Sequence, residues 1–167
     1  VDGHRMAKAA LRAAVLDAEC RKVGMSLAQR LGATRKMLPV GVVLGLQGTP
    51  SATVDAVKQC VEQGYGRVKL KIARGSDVEY AAAVRAAYPD LDLQVDANRS
   101  YSLDDADDVA ALRDLDELDL QLIEQPLGAD DLEGHARLGA QLETPICLDE
   151  SITSVDAARR AIEMDAC

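Results

Sequence analysis

The chain has 167 residues, 48% hydrophobic and 28% charged, and its 28 Asp and Glu against 19 Lys and Arg leave a formal net charge of −9. That acidity argues against nucleic acid or an anionic membrane as partner, and no apolar run approaches the ~18 residues of a membrane span. A small-molecule partner is the expectation that remains.

Cys20, Cys60, Cys147 and Cys167 lie far apart, with no Cys-x-x-Cys pair and no signal peptide, which predicts reduced thiols in a cytoplasmic protein. The length falls well short of the roughly 250 residues of a complete eight-unit barrel. Val1-Asp2-Gly3-His4 has no initiator Met, and Met164-Asp165-Ala166-Cys167 carries no helix-ending signal. The sequence therefore reads as part of a longer one.

In chain order, the Ala-rich stretch 6–23 predicts a helix ending at Gly24, and Ser26 predicts the N-cap of a short helix closed at Gly32. Residues 39–45 are apolar on both faces, as in a strand buried in a parallel sheet. A helix follows at 51–63, with Val54, Val57 and Val61 on one face and Gly64 as its stop. Strands at 67–73, 91–97, 120–124 and 145–149 then alternate with helices at 76–87, 103–115, 130–142 and 155–164. The last helix presents Val155, Ala158 and Ile162 on one side. The acidic run Asp104-Asp105-Ala106-Asp107-Asp108 reads as the solvated start of a helix, where carboxylates suit the dipole.

Lys71, Asp96, Glu124 and Asp149 close four successive strands at intervals of 25, 28 and 25 residues (96 − 71, 124 − 96, 149 − 124). That period fits one strand, one helix and two loops, and predicts an α/β fold of about five βα units, with a sixth strand falling past Cys167. Periodicity alone does not separate a barrel from an open doubly wound sheet. The missing Gly-rich phosphate loop after the first strand favours a partial (β/α) TIM barrel.

Alternation along strands puts Lys69 and Lys71 on one face and Val68, Leu70 and Ile72 on the other, and likewise groups Gln94, Asp96 and Asn98. Two lysines inside a barrel call for acidic neighbours, which the strand-end carboxylates supply. Three neighbouring carboxylates without His or Cys select a hard ion, Mg2+ or Mn2+. A lysine beside such an ion suits proton abstraction from carbon α to a carboxylate, with Lys71 the better placed because it lies nearer the strand end. Two other readings stay open at this point. Any one of the three acids alone fits an N-cap or surface residue, and Lys71 alone fits a Schiff-base lysine.

Val68-Lys69-Leu70-Lys71-Ile72, Gln94-Val95-Asp96-Ala97-Asn98, Leu122-Ile123-Glu124-Gln125-Pro126 and Thr144 to Ser151 (TPICLDES) resemble the enolase superfamily, muconate-lactonizing-enzyme subgroup. Within it they resemble the o-succinylbenzoate synthases and N-acylamino acid racemases. The resemblance implies Lys71 as the acid/base lysine with Lys69 assisting, Mg2+ on Asp96, Glu124 and Asp149, and Asn98 and Glu150 lining the site. It also implies that residues 1–38 are the trailing helices of an α+β capping domain, and that residues 39–167 open the barrel domain and end before its sixth strand. A second lysine, facing the first across the substrate, would lie past Cys167. Val43 stands where the related Gly-Val-Ser-x-Gly pattern has a serine. The activity implied is dehydration of a cyclohexadiene carboxylate on the route to menaquinone, by a protein that is a homo-oligomer at full length. The alternatives are N-acylamino acid racemisation, dipeptide epimerisation, muconate cycloisomerisation or, in a different class, a non-catalytic metal-binding module.

Overall fold

A computed structural model describes residues 3–167. The chain divides into two compact units, Val1–Leu38 and Pro39–Cys167. In the first, α1 (Arg5–Lys22) is followed by the single turn α2 (Leu27–Arg30), whose N-cap Ser26 forms a reciprocal capping box with Gln29. Arg30 meets Glu19 at 3.1 Å, an exposed pair that contributes little to stability. No helix among the described residues is long and apolar enough to cross a membrane.

The second unit alternates strand and helix: β1 (Val42–Leu44), α3 (Pro50–Glu62), β2 (Arg67–Lys71), α4 (Val78–Ala87), β3 (Asp92–Asp96), α5 (Ala106–Asp116), β4 (Leu122–Glu124), α6 (Leu132–Gly139), β5 (Ile146–Cys147) and α7 (Val155–Glu163). All five strands are parallel and lie in the order of the sequence, β1 to β5. A doubly wound sheet reverses its strand order at a switch point; this one advances in a single direction, as the wall of a (β/α) barrel does.

The helices start where short polar side chains hold their first free amides. Thr49 Oγ1 accepts from Ala52 N ahead of Pro50, Asp105 caps α5, and Asp131 caps α6 through Gly134 N at 2.8 Å. The helix side of the sheet carries the rows Val68–Leu93 and Leu70–Val95–Ile123–Ile146, all buried, against Val57, Val84, Leu112, Leu115 and Leu138. A fully buried aliphatic side chain contributes about 1.5–3 kcal/mol, so this apolar layer holds the unit together and leaves the opposite face free for charged groups.

Among the described residues β1 is an edge of three residues paired with β2 alone, and Val43 is 50% exposed. In α7, Val155 and Ile162 are 74% and 68% exposed, and the helix packs through Ala161, with Ala157 and Ala158 half-buried. The acidic run at the start of α5 is not wholly solvated, because Asp108 is buried against the Arg74 guanidinium and accepts the Ser102 amide at 2.7 Å. Its partner sits on the loop after β2, which residue spacing does not disclose.

Candidate active site

The register sets Lys71, Asp96, Glu124 and Cys147 side by side at the C-terminal ends of β2 to β5. Their side chains leave the sheet on the face opposite the apolar rows, as strand alternation requires. Lys69, two residues earlier, shares that face. Its ammonium lies 2.6 Å from Glu124 Oε2 and 3.7 Å from Asp96 Oδ2, so one cation is shared by two carboxylates. Lys71 Nζ donates to Asn98 Oδ1 at 2.6 Å and to Asp96 Oδ2 at 3.1 Å. Lys71 is the more open of the two, with 49% of its side chain exposed against 20% for Lys69.

Burial works to lower the Lys69 pKa, but the hydrogen bond it donates to Glu124 and the charges of Glu124, Asp96 and Asp149 outweigh it and hold the pKa above the ordinary lysine value. Lys71 stands at the strand end itself, two residues beyond Lys69.

Asp149 stands two residues past Cys147, the partner of Glu124, outside the strand and exposed. The fifth strand is thus shorter than the run 145–149, because as an edge it has a ladder on one side only. Glu150 Oε1 faces Asn98 Nδ2 at 3.4 Å and Arg99 Nε at 3.3 Å, while its Oε2 is buried with no hydrogen-bond partner among the described residues. Asn98 and Arg99 both adopt the left-handed backbone, with φ of 43° and 67°, which turns the chain sharply over the end of β3.

Among the described residues no three His, Cys, Asp or Glu side chains are gathered into a ready metal cage. The donor chemistry nonetheless fits a hard divalent ion. Asp96 and Glu124 already share one cation in Lys69, and carboxylate oxygens are the donors that suit such an ion.

All seven residues singled out from the sequence therefore lie at one end of the sheet. Lys69, Lys71, Asp96, Glu124 and Asn98 form one hydrogen-bonded and ion-paired group, Glu150 joins it through Asn98, and Asp149 lies at its border. Two residues were missed. Arg99 gives no signal in the sequence, and Gln125 gives only its place beside Glu124.

A family profile described as enolase C-terminal domain-like matches residues 52–167. The chain belongs to the enolase superfamily. Within the superfamily it is 49% identical over 164 residues to o-succinylbenzoate synthase from Geobacillus kaustophilus, a match covering 98% of this chain and 43% of that protein. It is 50% identical over 165 residues to N-succinylamino acid racemase from Amycolatopsis sp, covering 98% of this chain and 44% of that protein. A crystal structure of an enolase superfamily member from Listeria innocua superposes with a TM-score of 0.90 at 44% identity, covering 100% of this chain and 44% of the other. The chain thus spans under half the length of these relatives.

Proposed function

We propose that the complete protein removes a proton from carbon α to a carboxylate, and that this chain carries the basic residue and the metal ligands for that step. The observation that supports the reading is the unbroken row Lys71–Asp96–Glu124 at the strand ends, with Lys69 bridging its two acids. Asp96, Glu124 and Asp149 would hold Mg2+ or Mn2+, and that ion would supply positive charge beside the substrate carboxylate as the proton leaves. Lys71 in its neutral form takes the proton at Nζ. Asn98 Oδ1, already 2.6 Å away, orients the resulting ammonium. Lys69, ion-paired with Glu124 and Asp96, adds a positive charge that opposes build-up of negative potential in the site. Residues 1–38 would be the trailing helices of a domain that closes over the substrate and excludes water. The four cysteines, all free thiols, agree with a cytoplasmic enzyme.

The leading assignment is o-succinylbenzoate synthase. Dehydration is served by one lysine: Lys71 takes the α proton and returns a proton to the hydroxyl that leaves as water, so the base is regenerated within one turnover. Racemisation of N-succinylamino acids is the second reading, favoured by the 50% identity to a racemase, and needs a base on each face of the substrate. The test is a comparison of the complete protein and Lys71→Ala on a hydroxycyclohexadiene carboxylate and on one enantiomer of an N-succinylamino acid in deuterated water with Mg2+. Dehydration at rates well above racemisation is expected for the wild type. A loss of about 10^2- to 10^4-fold is expected for the variant. Faster racemisation would select the second reading, and an unimpaired Lys71→Ala would remove Lys71 from the mechanism.

A further inference from the structure

Gln125 follows the proposed ligand Glu124 and has no exposed surface. Its backbone sits in the left-handed region at φ 40°, an unfavourable conformation for a residue with a side chain, so its surroundings must hold it there. Those surroundings use nearly every polar atom it has. Its side-chain oxygen accepts the amides of Asp149 at 2.9 Å and Ser151 at 3.1 Å. Its side-chain nitrogen donates to Ser151 Oγ at 2.8 Å and to Leu127 O at 3.2 Å. Its own amide continues the ladder to Cys147 O at 2.8 Å, and its carbonyl accepts the Arg99 amide at 2.8 Å. One buried amide side chain thus reaches from the loop after β4 to the loop after β5, while the same residue's backbone takes hold of the loop after β3.

We infer that Gln125 is a positioning residue for the metal site: it fixes Asp149 relative to Glu124. The strand ladder ends at Cys147, so the sheet itself does not place Asp149. The Asp149 amide is bound to the residue adjoining Glu124, and a displacement of Gln125 carries both carboxylates with it. His135 supports this joint from below, since its Nε2 accepts the Leu127 amide at 3.2 Å and its Nδ1 donates to Asp131 O at 2.6 Å. A merely space-filling residue at this position would need neither the amide oxygen nor its two acceptances.

The inference rests on the proposed metal site, and its test separates the two. Mn2+ binding to the complete protein is followed by calorimetry and by electron paramagnetic resonance for the wild type, Gln125→Met, Ser151→Ala and Leu115→Val. The Met variant keeps length and burial while losing every side-chain hydrogen bond of Gln125, the 3.4 Å contact with His135 Nε2 included. Its Mn2+ affinity is expected to fall by about 10- to 100-fold, with a broadened Mn2+ spectrum. Ser151→Ala removes only the hydroxyl that accepts from Gln125 Nε2 and leaves the Asp149 and Ser151 amides bound, so its affinity should stay within about twofold of wild type. Leu115→Val lowers stability through the distant core alone and should leave affinity unchanged. Wild-type protein that fails to bind Mn2+ overturns the proposed site. Wild-type protein that binds, with a folded Gln125→Met that binds equally well, overturns the positioning role while leaving the site intact. Should Gln125→Met not fold, amide exchange of the metal-free wild type decides: the Asp149 and Ser151 amides should be protected, and fast exchange at both overturns the inference.

Discussion

Lys69 governs the charge balance beneath the site, because it faces two carboxylates from a position four-fifths shielded from water. Removing one partner of such a group leaves the others uncompensated, at a cost of about 3 kcal/mol or more. Lys69→Met should therefore lower the melting temperature of the metal-free complete protein. The gain on adding Mg2+ should then exceed the wild-type gain, since a divalent ion replaces the missing charge between Asp96 and Glu124. Melts in chelator and in excess Mg2+ measure both quantities, and an equal or smaller gain in the variant would count against a shared cation site. The pair Lys71–Asp96 differs, because Lys71 is half exposed and solvent screens it. At this scale Lys71, Asp96 and Glu124 could be read from the sequence because two simple rules, alternation along a strand and a repeat of 25 to 28 residues, fix both their face and their height. Gln125 and Arg99 could not. Their roles depend on left-handed turns that bring neighbouring loops into contact, and neither residue type advertises such a turn.

Among the elements, α4 is held by Arg85, whose guanidinium donates to the carbonyls of Tyr88, Pro89 and Leu91 in its own loop and of Leu118 and Asp119 at the end of α5. Five acceptors on one cation close the C-terminal ends of two helices at once. Arg85→Met should destabilise the complete protein by about 2 kcal/mol in urea denaturation, with Mn2+ affinity unchanged; a loss below a few tenths would show that water replaces the arginine. Helix α6 carries a pH dependence. Burial lowers the pKa of His135 against the opposing pull of Asp131, and Nε2 must stay unprotonated to accept the Leu127 amide. The unfolded chain therefore binds the proton first as pH falls. The stability His135 contributes is present above about pH 6.5 and is lost as pH falls from there toward the depressed folded value. His135→Asn should flatten the stability profile between pH 6.5 and 5, as measured by denaturation at several pH values, whereas a profile parallel to wild type would exclude this histidine as its source. Helix and strand order were legible because caps, glycine stops and periodicity agreed. Strand length and the packed side of α7 were not, since each depends on which neighbour is present: β1 and β5 pair on one side only, and the larger apolar residues of α7 face outward.

For the whole molecule, the decisive feature is a sheet with two open edges. Val43 on β1 and the Val155–Ile162 side of α7 are exposed apolar surface at or near those edges. Residues 1–167 expressed alone should self-associate and show no turnover, because unpaired strand edges recruit other chains and an uncovered site admits water. Sedimentation velocity and a dehydration assay check this, and a monodisperse, active monomer would refute it. The barrel was legible only in part: equal βα spacing predicts parallel strands in either a barrel or a doubly wound sheet, the missing Gly-rich loop favours the barrel, and only the strand order β1 to β5 decides it. The Arg85 clamp and the carboxylates stand at opposite ends of the sheet. The clamp grips the loops that enter β3 and β4. Changes confined to the loops that leave the strands beside Lys71, Asp96 and Glu124 can therefore accumulate while that fastening stays in place at the other end.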